Sequence, residues 1–331
     1  MMMSNKKVSV VMCTFNGASY LSKQLDTIIN QTYPILEVII QDDNSTDSTV
    51  SILQEYEEKY PFIHIFINQE QKGVNTNFFS AIEKASGDYI VISDQDDLWE
   101  LNKIEMQMAT IGDKWLSSCF SKPFSEGNVD IFFDERIPNT SIIRLIHIGS
   151  SMPGHTLLFK KDLLSLIPKD DFGDDFLYDH LFLLVAASYK QIYFCPNILV
   201  HNRRHISAAT YTPPTSDYKK TLKNAISTVK RTFSIYLEIR KDMQMHFRKV
   251  YKLLTILPCL DQENYNARQL ALYQSQRGLI SYIKLTLICI KNRSELFHTV
   301  EPNTLLTLLR AIYFPISCSD YFRYISKLYK K

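Results

Sequence analysis

The first hundred residues repeat one pattern, and it constrains the fold more than any other feature. A short, β-branched apolar run stops abruptly in polar or acidic residues, and a stretch of helical spacing follows. KKVSVVMC runs into Thr14, LEVIIQDD ends in Asp42 and Asp43, FIHIFIN ends in an amide, and DYIVISDQDD ends in acids. Runs of this length and composition read as strands. Val50, Leu53, Tyr56 and Tyr60 recur at helical spacing behind NSTD, whose short polar side chains suit a helix start. Residues 77–85 separate the third and fourth runs, and Leu101, Ile104, Met108 and Ile111 follow the fourth. Strand and helix in alternation require crossover connections, so the chain is expected to form a mostly parallel sheet under helices.

Residues 117–151 have weak periodicity and read as a loop-rich section with one helix near 140–148. GHTLLFKKDLL reads as a strand running into a helix, Asp179 to Tyr189 as a buried helix apolar on nearly every side, and QIYFCPNILVHNRRH as strand, turn, strand. The break Thr212-Pro-Pro-Thr215 marks the expected boundary between an α/β domain, 1–214, and a mainly helical region, 215–331.

Charge divides at the same place. Residues 215–331 hold 20 Lys and Arg against 8 Asp and Glu, leaving 17 and 27 of the chain's 37 and 35 in residues 1–214. An acidic front suits a cation site, and a basic tail suits phosphates or anionic lipid, although charge runs also serve as plain solvated helix faces. The six cysteines, Cys13, Cys119, Cys195, Cys259, Cys289 and Cys318, show no metal-type or redox-type spacing, which favours a reducing compartment. The apolar run Val8–Cys13 is too short for an export signal, and Arg310 interrupts the longest apolar stretch, 305–317, so neither export nor a membrane span is expected.

In an open parallel sheet, ligands bind outside the carboxyl ends of the strands. Cys13-Thr-Phe-Asn-Gly17, Asp42-Asp43-Asn44-Ser45 and Asp94-Gln-Asp-Asp97 all fall there. Asp94, Asp96 and Asp97 repel one another unless a cation neutralises them, and hard oxygen ligands select Mg²⁺ or Mn²⁺, which takes further ligands from phosphates. Acids decorating a helix N-terminus are the plainer explanation of the same residues. Asp42 and Asp43 can accept hydrogens from a nucleoside, or simply make a turn.

The segments VSVVMCTFNGASYLSKQLDTIINQTYP, VIIQDDNSTDST and GDYIVISDQDDLWELNKIE together resemble the family 2 glycosyltransferases of GT-A fold. SDQDDLW and the later PGHTLLF are most similar to the rhamnosyltransferase-type branch that builds bacterial surface polysaccharides. The resemblance covers about residues 6–210. It implies that Thr14, Phe15 and Asn16 lie against a nucleotide base, that Asp42 bonds the base, and that Asp43, Lys72, Gly73 and Asn77 lie near base and ribose. Gln95 sits inside the implied donor motif, Asp94 and Asp96 match its metal and ribose carboxylates with Asp97 beside them, and Asp179 matches the catalytic carboxylate. His205 matches a histidine that closes the domain in this branch and can complete the metal shell, touch the diphosphate or be simply structural; Arg203 or Arg204 can pair with phosphate, and His155 is implied as part of the acceptor side. Asn202 stands where the family usually has tyrosine.

From the residues alone, Asp179 suits a general base. It heads an apolar helix, and desolvation would hold its pKa up; Asp174 and Asp175 are its neighbours and rivals. The resemblance implies transfer from a nucleoside-diphosphate sugar to a hydroxyl of a lipid-linked surface glycan, with inversion because the family inverts, in the cytoplasm at the inner membrane face. A nucleotidyltransferase would need a glycine-rich basic loop for a triphosphate, and CTFNGASY has one glycine and no cation. A non-catalytic membrane scaffold would use the basic tail, where Leu279 to Ile290 and Leu305 to Tyr313 can present apolar faces edged by Lys284, Lys291 and Arg310; a helical subdomain packed on the catalytic domain is the plainer explanation of the same residues. Lys and Arg interleaved with Tyr and Phe in YFRYISKLYKK also occur in nucleic-acid binders, but the acidic front argues against that partner.

Overall fold

The computed structural model describes residues 6–125, 131, 133–147, 152–204 and 222–325. The chain divides into two compact units, one of residues 1–135, 152–186 and 191–206, the other of 136–151, 187–190 and 207–331. The expected break at residues 212–215 lies outside the described residues.

In the first unit the alternation of the sequence becomes β1 (Val8–Thr14), α1 (Ala18–Ile29), β2 (Glu37–Asp42), α2 (Thr49–Lys59), β3 (Ile63–Ile67), α3 (Val74–Lys84) and β4 (Tyr89–Ser93). After these come β5 (Leu98–Trp99), α4 (Lys103–Thr110), β6 (Leu116–Phe124), α5 (Ile142–Leu145, in the second unit), β7 (Leu158–Lys160), α6 (Lys169–Phe172), α7 (Tyr178–Ser188) and β8 (Ile192–Arg203). The strands form one mixed sheet in the order β3-β2-β1-β4-β7-β6-β8-β5. The first four are parallel, β7 runs against both β4 and β6, and β6 is parallel to β8. β1 and β4, at the centre, are buried at nearly every residue, whereas edge strand β3 is largely exposed. Covered on both faces, a central strand needs apolar side chains on both sides, which is why these runs are continuous rather than alternating. Helix α1 packs on the sheet through Leu21, Leu25 and Ile28.

Three expectations from sequence need correction. The section taken as loop-rich contains the nine-residue strand β6, because Ser117, Ser118 and Ser121 find hydrogen-bond partners inside the fold and so behave as strand residues. The expected strand-turn-strand after α7 is one strand, β8, in which Pro196 and Asn197 fall within a bulge: Cys119 pairs with Cys195, but Phe120 already pairs with Ile198. The residues after β7 wind as a 3₁₀ turn, Lys161–Leu166, rather than an α-helix. The helix expected near 140–148 is the short α5, and the buried helix is α7.

The second unit is helical: α8 (Leu222–Ile256), α9 (Gln262–Ser275), α10 (Leu279–Lys291) and α11 (Leu305–Ile325) pack on one another. Ile235, Ile239, Met243, Phe247, Val250 and Leu254 make the buried stripe of α8 at helical spacing. Lys190 pairs with Asp261 and Glu263, and Ser141 Oγ donates to Glu263 Oε1 at 2.6 Å.

Candidate functional site

The polar loops at the carboxyl ends of β1, β2 and β4 meet at one rim and spend many of their hydrogen bonds on each other. Gln95 accepts from the Phe15 backbone N–H (2.9 Å) and donates to its carbonyl (3.0 Å), which fixes the backbone of Phe15, a residue left 41% exposed. A Cβ on Gly17 would lie 2.1 Å from Gln95 Oε1, so this bracket requires glycine. Asn16 adopts φ +46°; its N–H donates to Ser45 Oγ and its side-chain oxygen accepts from Thr46 N. Asp42 is fully buried and accepts from Thr14 Oγ1 (2.7 Å), Ser45 N (2.8 Å) and Ser45 Oγ (2.6 Å). Asp43 accepts from the Lys72 N–H, the Gly73 N–H and Asn68 Nδ2, and so shapes the loop before α3. Asn68 Nδ2 also donates to Asn77 Oδ1, while Asn77 Nδ2 donates to Gln41 O. The Lys72 ammonium pairs with Glu70 at the surface.

At the end of β4 the structure brings together Asp94, Asp97 and His155, each offering a ligand atom within 4.8 Å of the others. His155 Nδ1 lies 3.0 Å from Asp94 Oδ2 and 3.5 Å from Asp97 Oδ2, and its Nε2 contacts Ser121 Oγ at 2.9 Å. Asp97 is fully buried: its Oδ1 accepts from Asn202 Nδ2 and Arg203 N, while its Oδ2 makes no hydrogen bond among the described residues. Burial pushes the Asp97 carboxyl above the usual carboxylate range, with His155 opposing. Burial would lower the His155 imidazole, but Asp97 and Asp94 outweigh it and raise it. A buried carboxylate oxygen that makes no hydrogen bond, beside a second carboxylate and an imidazole, fits a divalent cation. The resemblance set His155 on the acceptor side; the structure places it with these carboxylates.

Asp96 does not join that trio; its backbone carbonyl accepts from Arg203 Nε at 2.9 Å. The buried Arg203 guanidinium lies 4.8 Å from the Tyr20 ring and 4.6 Å from the Phe124 ring. Arg204 donates its backbone N–H to Phe124 O at 2.8 Å, a bond that continues the β6–β8 pairing beyond the strand ends. His205 lies outside the described residues.

Asp179 heads α7, where its Oδ1 accepts from His180 N (2.7 Å) and its Oδ2 from Gly154 N (3.1 Å), next in the chain to His155. Burial raises its pKa, as its place on an apolar helix led us to expect. Asp174 is exposed and Asp175 half-buried in the turn before the helix. Gly154 is required here too, because a Cβ would lie 2.1 Å from the Tyr178 hydroxyl. Tyr178 stacks on Phe78 with ring centroids 4.3 Å apart.

Two supports escaped the sequence reading. Asn75 accepts from Tyr178 N (2.6 Å) and donates to the carbonyls of Gly173 and Phe176, tying α3 to the start of α7. Lys103 is fully buried; its Nζ donates to Gln107 Oε1 (3.0 Å) and lies 4.1 Å from the Trp99 ring centroid. Gln107 Nε2 in turn donates to Thr156 O, in the turn that carries His155. The only local sign of this chain was a Lys and a Gln four apart beside the apolar positions Ile104 and Met108.

A sheet with its acid-bearing strand ends gathered at one rim, flanked by helices and followed by a helical region, is the GT-A fold. The TarS fragment 1–349 of S. aureus, solved with UDP-GlcNAc, superposes with a TM-score of 0.59 at 15% identity, covering 98% of this chain and 91% of that one. At that identity the likeness is one of fold. Residues 9–162 match the model for Glycosyl transferase family 2, and the chain carries a domain of that family. Among curated relatives, the putative teichuronic acid biosynthesis glycosyltransferase TuaG of Bacillus subtilis is 37% identical over 101 residues, 30% of this chain and 40% of TuaG. The UDP-Glc:alpha-D-GlcNAc-diphosphoundecaprenol beta-1,3-glucosyltransferase WfgD of Escherichia coli is 30% identical over 141 residues, 43% of this chain and 51% of WfgD. The matched segments thus span about half or less of these relatives' length.

Proposed function

We propose that this chain transfers a sugar, with inversion, from a nucleoside-diphosphate sugar to a hydroxyl of a lipid-linked surface-glycan intermediate at the cytoplasmic face of the membrane. The observation that carries this is the meeting of Asp94, Asp97 and His155, one carboxylate oxygen buried and unbonded, beside the backbone that also anchors Asp179. The family domain, the UDP-GlcNAc complex of the TarS fold neighbour and WfgD's diphosphoundecaprenol substrate support the donor and acceptor classes.

In this reading Asp94, Asp97 and His155 hold Mn²⁺ or Mg²⁺, with Asp96 and His205 as further candidates. When bound, such a cation supplies positive charge that offsets the charge of a departing diphosphate. Phe15, held by Gln95, offers its ring to a base, with Thr14, Asn16, Asp42, Asp43, Lys72, Gly73 and Asn77 shaping the nucleoside side. Arg203 and Arg204 belong to the phosphate side. Asp179 accepts the proton of the acceptor hydroxyl as that oxygen bonds to the anomeric carbon. The bond from that carbon to the diphosphate oxygen breaks, and nucleoside diphosphate leaves. The raised pKa of Asp179 suits a base that works near neutrality.

The test is a screen of nucleoside-diphosphate sugars for slow, Mn²⁺-dependent hydrolysis by the purified chain. Turnover that releases nucleoside diphosphate is expected for at least one donor. Indifference to manganese and to every donor offered refutes the reading.

A further inference from the structure

The second unit turns two aliphatic stripes to solvent. On α10, Leu279 is 74% exposed, Ile280 72%, Ile283 49% and Leu287 60%, while Leu285 and Cys289 on the opposite side are buried. The exposed four share one helical face. The neighbouring helix α11 repeats the arrangement, with Leu305 72%, Leu306 66%, Leu309 55% and Ile312 41% exposed, against buried Ala311, Phe314 and Cys318. α10 and α11 pack on each other, so the two stripes belong to one body. Isolated exposed leucines are ordinary, but two stripes of them on neighbouring helices need a partner.

Charge and composition indicate which. Lys284 and Lys291, both exposed, lie seven residues apart along one edge of the α10 stripe, and Arg310 flanks that of α11, sharing its charge with Glu301 at 3.1 Å. α10 contains no acidic residue, and residues 215–331 carry 20 basic against 8 acidic side chains. The hot spots of protein interfaces are enriched in Trp, Tyr and Arg and poor in Leu and Val, whereas these stripes are purely aliphatic. Leu and Ile on one face with lysine at its edge is the composition of a helix that lies in an anionic lipid surface. Thirteen residues of α10 extend roughly 20 Å, short of the ~30 Å hydrocarbon core. No described helix is long and apolar enough to cross a membrane.

We propose that the outward stripes of α10 and α11 form a docking surface for an anionic lipid bilayer, the aliphatic side chains entering the headgroup boundary and Lys284 and Lys291 meeting the phosphates. This deepens the reading of a lipid-linked acceptor, but its test needs no sugar transfer.

The full chain is sedimented with phosphatidylcholine vesicles and with vesicles containing about 30% phosphatidylglycerol, at roughly 50 mM and 500 mM salt, spanning weak to strong screening. Binding to the anionic vesicles alone, weakened by salt, is expected. Ile280→Asp with Leu306→Asp should abolish it while the unfolding midpoint and donor hydrolysis stay unchanged. Lys284→Gln and Lys291→Gln should each weaken it about five-fold, as expected for about 1 kcal/mol per basic side chain at a charged surface. Absence of binding, equal binding to neutral vesicles, or an aspartate pair that still binds overturns the proposal. So does light scattering showing a dimer that the aspartate pair converts to monomer, since a second copy would then cover the face. Vesicle binding by a chain that hydrolyses no donor would leave the docking surface standing and remove the proposed activity instead.

Discussion

Lys103→Met isolates the least expected feature of the core. The ammonium of Lys103 is fully buried, and burial lowers its pKa from 10.5 to about 8. Below pH 8 the folded and unfolded chains both hold this proton, and the cost of burying the charge is fully present. Between pH 8 and 10.5 the folded protein releases a proton that the unfolded chain still binds, so stability rises with pH. The gain is about 3 kcal/mol in total, and roughly 2.5 kcal/mol of it is reached by pH 10. The methionine variant has no such gain. At neutral pH it escapes the burial cost but leaves Gln107 Oε1 without its donor, about 1–3 kcal/mol, and loses the Trp99 contact, about 2 kcal/mol when desolvated. The two proteins should therefore have similar stability at pH 7 and diverge above pH 8. The chain's two tryptophans, Trp99 and Trp115, both belong to the first unit, so their fluorescence during urea unfolding reports that unit. Wild type is expected to gain on the variant by roughly 2.5 kcal/mol between pH 7 and 10. A difference that stays flat across that range refutes the buried-cation argument.

Three further perturbations address the site. Asp179→Asn should keep the fold and donor binding yet reduce transfer to below a few per cent of wild type, about two orders of magnitude being the usual worth of a general base; retained turnover removes the base assignment. His155→Ala should weaken Mn²⁺ binding, followed by calorimetry, by on the order of ten-fold or more, and an unchanged titration takes His155 out of the proposed ligand set. Gly154→Ala forces a methyl to within 2.1 Å of the Tyr178 hydroxyl and should cost about 1–3 kcal/mol. An unaltered melting temperature would show that Tyr178 is free to move.

Local pattern sufficed for much of this protein. Val8–Thr14, Glu37–Asp42 and Tyr89–Ser93 are strands because a chain buried on both sides must be continuously apolar, and their polar ends mark the rim where a site can form. Asp179 at the head of an apolar helix was legible for the same reason. Long-range meetings were not. β7 returns antiparallel beside β4, with Ile92 N donating to Leu157 O, and only that return carries His155 to Asp94, 61 residues away. Which of Asp94, Asp96 and Asp97 face the histidine depends on how the loop after β4 turns, and adjacent aspartates look alike in sequence. Serines that disguised β6 as loop become strand residues once Thr156, His155 and Gln107 meet them, and inside the fold Lys103 meets Gln107 and Trp99. Periodicity records what each segment buries, whereas the partners of a buried polar group are fixed by the path of the whole chain.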